Sequence, residues 1–524
     1  MVIAGISKHK NKILNIAFYL LIAIIIFFGI FIRLKFYLAK LPMWLDEVML
    51  ASSFVDRSFS DLFMPLEAFQ KAPPLFFVSV LALRKLFGIN EFSLRFIPFI
   101  LGAVSILPFF LFLKENIKNK FGIIIGLMMF AFSVPLVYFS AEFKPYGCDV
   151  FFCLILFISY KYLDLVNLSL RRAILYSIAS ILFIFSSFTT IFIIPAMIFT
   201  KFFEKRKISY KVLLILGAVI FAGLFLCFKD FGTYKFLHNY WGEFEGGFPT
   251  NNYIDFIFRF IYKACIYYIY HFNIKYVFFI LILTISGGYL LFKDKKEKFI
   301  LITLVFLFTL IASFINAYPL TPKLALYLYP LFILLLVKNF DISVYLEKLT
   351  YKTLSNVLLM IGLFFLIGFN IPYLNMNQEA VAYYNVTSKG RNKNIMDRVY
   401  VREYCLQLLE NYKNKDPILV SEEFIYSLNL YNAYYGFKKD LNMSSYGYSA
   451  LKKMSDDDLE KYVNDFVKKN AKTNNIWFIG RNFERNYFIS PSFDFLKSVL
   501  DEYKLKYTEH TVNNMYMIHV ENNK

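Results

Sequence analysis

Cysteine is scarce in this sequence, with five in 524 residues. The five lie far apart or inside apolar segments, so their spacing fits neither a metal site nor a disulfide framework. No small-residue cleavage site follows the first apolar run, which predicts an uncleaved membrane span rather than a signal peptide. The sequence also lacks an internal repeat of its helix pattern and charged residues in the middle of its apolar segments. Both absences disfavour a transporter, which binds its substrate near the middle of the membrane.

Apolar residues are abundant instead. They make up 58% of the chain, which includes 64 Phe and 39 Tyr, and the mean hydropathy is +0.51. Soluble domains contain roughly 45–50% apolar residues, so part of this surface must face lipid. The net charge of +19 could indicate nucleic-acid binding. Because the Lys and Arg residues cluster between apolar runs, we interpret them as a membrane-topology signal and predict no nucleic-acid partner.

The apolar runs predict a polytopic membrane protein with about eleven spanning helices, since a span needs about 20 apolar residues. The predicted spans cover residues 13–32, 92–113, 121–139, 148–162, 173–188, 190–203, 212–228, 276–292, 299–315, 324–337 and 354–371. The shorter stretch 74–87 ends in Arg84 and Lys85, and we expect it to be a helix at the membrane surface.

Basic loops follow every second one of these spans. Six loops are basic and fall on one side of the membrane, namely 7–12, 114–120, 161–172, 201–211, 293–298 and 338–352. The positive-inside rule predicts that this side is cytoplasmic. The outer side then receives four notable pieces, residues 33–91, 140–149, 229–275 and everything after Pro372, and Lys323 is also on this side. The chain divides into a membrane domain, 1–372, and an extracytoplasmic domain, 373–524.

The pattern after Pro372 becomes polar and alternating. Segments 416–423, 474–481 and 515–521 read as strands, while 455–470 and 493–503 have helical spacing. These segments predict a small α/β domain, and we find no catalytic constellation in it.

Candidate chemistry gathers in the predicted outer loops. Asp46 and Glu47 follow Trp44, and an acidic pair there is either a solvated helix start or a general base. Lys71 precedes a double proline. Arg95 follows Glu91 by four residues, which fits an exposed ion pair or a phosphate-binding guanidinium.

A second group occupies one short outer turn. It comprises Glu142, Lys144, Tyr146 and Asp149. Ionisable groups at membrane depth are costly, which makes them candidates for function.

Four motifs together resemble the GT-C glycosyltransferases. They are WLDE at 44–47, PPLFF at 73–77, E-x-x-x-R-F-x-P-x-x-x-G at 91–102 and E-x-K-P-Y-x-x-D at 142–149. The order and spacing are similar over residues 10–160, and PLTPKLALYLYP at 319–330 resembles a later segment of the family. The likeness is greatest to the family-39 branch, which includes protein O-mannosyltransferases, the lipid A aminoarabinose transferase and bacterial relatives acting on surface polysaccharides.

The resemblance implies a membrane enzyme that transfers a sugar from a polyprenyl-phosphate donor to an acceptor outside the cytoplasmic membrane. The acceptor classes left open are protein, glycolipid and wall polymer. By position, Asp46 matches the family's catalytic acid and Glu47 its usual neighbour. The substrate-binding and donor-phosphate-binding candidates are Lys71, Arg95, Glu142, Lys144, Tyr146, Asp149 and Lys323.

The borrowed mechanism has a physical rationale. Cleavage of the sugar–phosphate bond releases an anion, which outer cations would stabilise. Asp46 would deprotonate the acceptor, and direct attack would invert the anomeric centre.

The chain departs from its relatives at two positions. Ala72 stands where many relatives have His, and Gln70 stands where the aminoarabinose transferase has an acid associated with a metal. We therefore assign no metal ligand and no cofactor, and a divalent metal is left open as an alternative.

The outer loop around residues 238–253 is rich in Trp, Tyr and acids. Such residues belong at a membrane interface for physical reasons, and they also suit sugar binding through Glu243 and Glu245. Two other functions stay open on sequence grounds, namely a transporter or flippase of a lipid-linked sugar and an inactive anchor that displays the C-terminal domain.

Overall fold

The structure, a computed structural model, describes most of the chain. The described residues are 2–39, 41–228, 237–244, 246–249, 252–268, 274–345, 395–413, 415–437, 439–446, 456–473, 475–481, 493–512 and 515–521. The predicted span 354–371 and the predicted domain boundary at 372 lie outside these residues.

Helices dominate the first 345 residues. In chain order they are α1 Val2–Leu38, α2 Leu45–Ser52, α3 Pro74–Phe87, α4 Glu91–Val104, α5 Ile106–Asn116, α6 Lys120–Ala131, α7 Val134–Ser140, α8 Tyr146–Ser159, α9 Leu170–Ser186, α10 Thr190–Lys205, α11 Val212–Phe228, α12 Tyr253–Tyr268, α13 Ile274–Asp294, α14 Lys296–Phe314, α15 Tyr329–Lys338 and α16 Ile342–Tyr345. The first nine predicted spans each fall on one of these helices or on a consecutive pair. Helix α3 has the predicted bounds of the surface helix.

Three described helices are long and apolar enough to cross a membrane, namely Lys12–Leu38, Glu91–Asn116 and Lys296–Phe314. Helices α6 and α7 form a fourth candidate that is bent by 47°. The total of about eleven spans stays a prediction.

A buried arginine stabilises the bend between α6 and α7. The guanidinium of Arg33, fully buried in α1, donates to the carbonyls of Ala131 and Phe130 at 2.6 and 3.3 Å. These carbonyls lie at the end of α6, where the break leaves them without intrahelical partners. Because the C-terminal end of a helix carries partial negative charge, it is a favourable place for a buried cation.

Two segments differ from the sequence prediction. The predicted span 324–337 is regular α-helix only from Tyr329, since Pro330 has no backbone N–H and favours the first turn of a helix. Part of the predicted outer loop 229–275 is helix α12, whose apolar and polar residues separate onto two faces.

Segments predicted to share the basic side of the membrane meet in the structure. Lys338 Nζ donates to the carbonyl of Asn116 at 2.8 Å and to the carboxylates of Asp294 and Asp341 at 2.7 and 2.8 Å. Asp341 also accepts the backbone N–H of Lys118 at 2.9 Å. These five residues are called the Lys338 cluster below. Their contacts join loops 114–120, 293–298 and 338–352, as the charge alternation predicts; which side is cytoplasmic stays a prediction.

The C-terminal part is the predicted small α/β fold. Its elements are α17 Ile395–Asn411, β1 Pro417–Ser421, α18 Glu422–Tyr434, β2 Asn442–Tyr446, α19 Asp456–Asn470, β3 Asn475–Arg481, α20 Phe493–Glu502, β4 Tyr507–Val512 and β5 Met515–Glu521. The sheet order is β2-β1-β3-β5-β4. Strand β1 pairs in parallel with β2 and β3, and β5 pairs antiparallel with β3 and β4. Each face of the sheet has its own apolar cluster. The predicted fold class, a helical membrane protein with a small α/β C-terminal domain, is confirmed.

Candidate functional site

Helix α2 carries the two adjacent acids. It begins after Trp44, whose backbone N–H donates to Glu47 Oε2 at 3.3 Å. The side chain of Glu47 is buried, whereas that of Asp46 is 28% exposed. The two neighbouring carboxylates therefore have different surroundings, and only Asp46 is accessible from outside the protein.

Glu47 is held by Arg95. The guanidinium donates to both carboxylate oxygens at 2.8 Å and also to the carbonyl of Leu41 at 2.6 Å. Glu47 Oε1 further accepts the backbone N–H of Phe143 at 2.7 Å. This bidentate pair ties α2, α4 and the turn after α7 together. Breaking a buried pair by removing one partner typically costs about 3–5 kcal/mol.

Arg95 differs from the first of the two alternatives that its sequence position offered, the exposed ion pair. Its salt bridge is to Glu47, 48 residues away, rather than an exposed pair with Glu91. Three of its five N–H donors bond to protein groups, and phosphate binding by Arg95 stays a prediction.

The turn between α7 and α8 faces α2. Trp44 Nε1 donates to Glu142 Oε1 at 2.9 Å, and Lys144 Nζ donates to Gln70 Oε1 at 2.7 Å. This placement requires α4 to pass very close to the end of α7. A Cβ atom on Gly102 would lie 2.6 Å from the Cβ of Ser140, so only glycine permits the approach.

Lys144 is buried among charges. Burial lowers the pKa of its ammonium group, and the nearby carboxylates of Asp46 and Glu142 oppose this effect. The positive charge of Lys323 acts in the same direction as burial. Glu47 acts in the same direction as Asp46 and Glu142, so Lys144 is within electrostatic range of three acids and of a second cation.

Lys323 completes the group from a distant part of the chain. Its Nζ lies 3.8 Å from Asp46 Oδ2 and 4.8 Å from the centre of the Trp241 ring. Its side chain is 14% exposed. Residues from three predicted outer segments, Asp46, Lys144 and Lys323, therefore come together; we call them the Asp46 cluster.

The remaining candidates lie around this cluster. Tyr146 is within electrostatic range of Asp46, Glu142 and Asp149. Asp149 is buried and accepts a hydrogen bond from Ser187 Oγ. The sequence reasoning missed Ser187, which carries no motif of its own. Asp149 therefore has a protein partner, and its role at the site stays a prediction.

The remaining residues proposed from sequence are Lys71, Glu243 and Glu245. Lys71 is partly buried and directly follows Gln70, the acceptor of the Lys144 bond. Glu243 lies in the short π-helix Tyr240–Phe244, which also supplies Trp241 and so brings the aromatic loop to the site. The Glu243 side chain and all of Glu245 lie outside the described residues.

A metal centre is not evident among the residues described. None of their His, Cys, Asp and Glu side chains form a group of three or more that could hold an ion. Gln70, which stands where a relative's metal-associated acid is expected, accepts the Lys144 ammonium instead.

Comparison with known proteins identifies the fold. No protein-family model and no curated protein matches the chain. Solved structures of ArnT from Cupriavidus metallidurans do match. The apo structure has 10% sequence identity and a TM-score of 0.52, and the match covers 97% of this chain and 98% of that one. The structure bound to undecaprenyl phosphate has 10% identity and a TM-score of 0.51, with 96% and 97% covered. The chain therefore has the GT-C fold of ArnT, including the C-terminal domain.

Proposed function

We propose that this protein is a membrane glycosyltransferase that moves a sugar from a polyprenyl-phosphate-linked donor to an acceptor on the outer face of the cytoplasmic membrane. The observation that carries the proposal is the Asp46 cluster within a GT-C fold. A partly exposed carboxylate lies 3.8 Å from an ammonium group, beside a second, buried ammonium. Transfer from a phosphate carrier needs these two kinds of group side by side.

Asp46 is the proposed general base. It takes the proton of an acceptor hydroxyl as that oxygen attacks the anomeric carbon of the donor sugar. The new carbon–oxygen bond forms while the bond from the sugar to the phosphate oxygen breaks. Direct displacement inverts the anomeric centre, and the leaving group is polyprenyl phosphate.

Lys323, Lys144 and Lys71 are the proposed cations for the phosphate. Preorganised cations in a site of low dielectric stabilise the charge that develops on the leaving oxygen. Lys323 is the most direct candidate, because its ammonium lies against the base and is partly exposed. Glu47 and Arg95 hold α2 in place through their bidentate pair.

The donor class is supported by the comparison, since ArnT from Cupriavidus metallidurans has been solved with undecaprenyl phosphate bound. The outer location is supported by the charge alternation of the loops. Acceptors of the three classes named from sequence (protein, glycolipid or wall polymer) present the hydroxyl or amine that this chemistry needs.

Purified protein given a radiolabelled polyprenyl-phosphate sugar and a cell-envelope extract tests the proposal. We expect the label to leave the lipid carrier and enter an extract component, while heat-denatured protein leaves the donor intact. In sealed vesicles a transporter would move the donor across the membrane unchanged, and an anchor would neither move nor consume it. Either result would overturn the proposal.

A further inference from the structure

Gln70 binds the ammonium group of Lys144 through an uncharged oxygen. Gln70 Oε1 accepts a hydrogen bond from Lys144 Nζ at 2.7 Å, between segments 74 residues apart in the chain. Lys144 is only 6% exposed. Among the residues that the structure describes, Lys144 forms no ion pair, and Gln70 is the one acceptor of its ammonium group. This arrangement is unusual, because a buried charge is normally in contact with an opposite charge.

The amide of Gln70 has a defined orientation. Lysine has three N–H donors and no acceptor, so it can bond only to the oxygen of the amide. The amide nitrogen, Nε2, donates to the carbonyl of Ala68 at 3.3 Å. A carboxylate at this position would place an oxygen against that carbonyl with no proton between them. The surroundings therefore suit glutamine better than glutamate.

The segment that carries Gln70 is fixed to the end of α2. The backbone N–H of Glu67 donates to Ser53 Oγ at 2.8 Å, and the backbone N–H of Gln70 donates to the carbonyl of Glu67 at 3.1 Å. Between these two bonds, Ala68 and Phe69 have φ angles of 51° and 53°. Residues other than glycine rarely adopt this left-handed conformation, which costs about 1–2 kcal/mol per residue. The backbone is therefore strained at the two residues that set the direction of Gln70.

We propose that Gln70 is a positioning residue of the phosphate site, which holds the ammonium group of Lys144 in place without neutralising it. The proposal rests on the proposed function, since it assigns the charge of Lys144 to the phosphate of a polyprenyl-phosphate donor. One N–H donor of the ammonium binds Gln70, and two are left for phosphate oxygens. A buried ammonium attracts an anion more strongly than an exposed one does, provided that no carboxylate is in contact with it.

Two substitutions distinguish holding the lysine from neutralising it. Gln70→Met has a similar size but no acceptor, so it removes the hydrogen bond to Lys144. Gln70→Glu keeps an acceptor and adds a negative charge. If Gln70 only held Lys144, Gln70→Glu would bind phosphate as well as the wild type does. Gln407→Glu makes the same change at a solvent-exposed hydrogen bond of α17 and is the matched control.

Binding of farnesyl phosphate, a short polyprenyl phosphate, measures the effect without any transfer reaction. Isothermal titration calorimetry of the full chain in detergent gives its Kd, and farnesol, which lacks the phosphate, reports the contribution of the apolar chain. We expect the wild type to bind farnesyl phosphate at least about tenfold more tightly than farnesol. Gln70→Glu should raise the Kd for farnesyl phosphate about tenfold, the loss expected when a charged hydrogen-bond partner is neutralised. Its Kd for farnesol should stay unchanged, and Gln407→Glu should alter neither value.

The pH profile of transfer is a second measurement. The charged groups around Lys144 are Asp46, Glu47, Glu142 and Lys323, with Lys71 next to Gln70 in the chain, and none of them is changed in these variants. A carboxylate at position 70 would raise the pKa of Lys144, so the alkaline limb of kcat/KM should move to higher pH in Gln70→Glu. Loss of the acceptor in Gln70→Met should lower that pKa and move the limb to lower pH. A general loosening of the fold would not move the limb in opposite directions.

The outcomes separate this proposal from the proposed function. An unchanged Kd for farnesyl phosphate in Gln70→Glu, or an equal weakening of farnesol binding, overturns the role of Gln70. A limb that stays in place in both variants also overturns it, and this result remains informative if Gln70→Met alone fails to fold, since Gln70→Glu keeps the hydrogen bond. A wild-type protein that binds farnesyl phosphate through Gln70 but consumes no labelled donor would instead overturn the proposed function alone.

Discussion

Two ionic clusters lie at opposite ends of the membrane helices and differ in how completely they are paired. In the Lys338 cluster the ammonium is fully buried and donates to three acceptors, all within 2.8 Å. An ammonium has three N–H donors, so this cation has no capacity left. In the Asp46 cluster the ammonium of Lys323 stands 3.8 Å from the carboxylate, and both side chains are partly exposed.

The difference indicates separate roles for the two clusters. Helices α4 and α5 together run from Arg95, near the Asp46 cluster, to Asn116 in the Lys338 cluster, a rise of about 30 Å. At the Lys338 end, all three N–H donors of the ammonium bond to protein groups and join three loops. At the Asp46 end, Glu47 and Arg95 bind each other through both carboxylate oxygens, while Asp46 and Lys323 beside them keep free capacity. A substrate can form hydrogen bonds and ion pairs only with groups whose donors or acceptors are not all taken by the protein.

The largest expected effect is that of Asp46→Asn. Removing a general base should lower kcat by about 10²–10⁴-fold, because the amide cannot accept the acceptor's proton. The labelled-donor assay measures this, and size-exclusion chromatography in detergent checks that the variant is folded. Asp56→Asn, an exposed acid in the same loop, is the control and should keep wild-type activity. Near-normal transfer by Asp46→Asn would remove Asp46 from its proposed role.

At the other end, Lys338→Met should act on stability and not on chemistry. The fully buried carboxylate of Asp341 would lose its cation, whereas Asp294 keeps its pair with Lys118. Removing one partner of a buried pair typically costs about 3–5 kcal/mol. Thermal unfolding in detergent measures the loss, and kcat per folded molecule should stay near wild type. Lys293→Met replaces an exposed lysine at the same end and should shift stability by less than about 0.5 kcal/mol. An equally mild effect of Lys338→Met would contradict the assignment of this cluster to stability.

Sequence patterns predicted the helices better than they predicted the partners of the charged residues. Helix α3 follows from its apolar run between a double proline and Gly88, all within one short segment. The partner of Arg95 was not predictable in this way. A glutamate at i−4 is the local choice, but Glu47 offers both oxygens to the guanidinium fork once the fold brings α2 beside α4.

In the C-terminal domain, too, the sequence pattern did not predict contacts between distant segments. Its strands β1, β3 and β5 were predicted from alternation, whereas helix α18 directly after β1 was not. The apolar residues of α18 are divided between its own sheet and α2 of the membrane domain, so they show no single helical stripe. Only the assembled fold shows that Leu430 faces α2.

Lys323→Gln tests whether the ammonium group of Lys323, in the Asp46 cluster, stabilises the leaving phosphate. Removing one preorganised donor to a developing oxyanion typically costs about 10²-fold, which we expect here in kcat/KM for the labelled donor. Lys323→Arg should recover part of the loss, since it keeps the charge. Lys85→Gln, an exposed lysine at the end of α3, should have no effect. A Lys323→Gln enzyme with unchanged kcat/KM would place the phosphate elsewhere.

The smallest expected effect is a change in pH dependence at Lys144. Burial lowers the pKa of this lysine, so its ammonium loses its proton at a lower pH than an exposed lysine does. If the cation helps to stabilise the leaving phosphate, kcat/KM must fall as the pH rises through that lowered pKa. Lys144→Arg keeps its charge across this range, so the alkaline limb of the profile should move to higher pH. Lys85→Arg should leave the limb in place. An unmoved limb in Lys144→Arg would show that the charge of Lys144 serves only to hold Gln70, and would leave Lys323 as the principal cation for the phosphate.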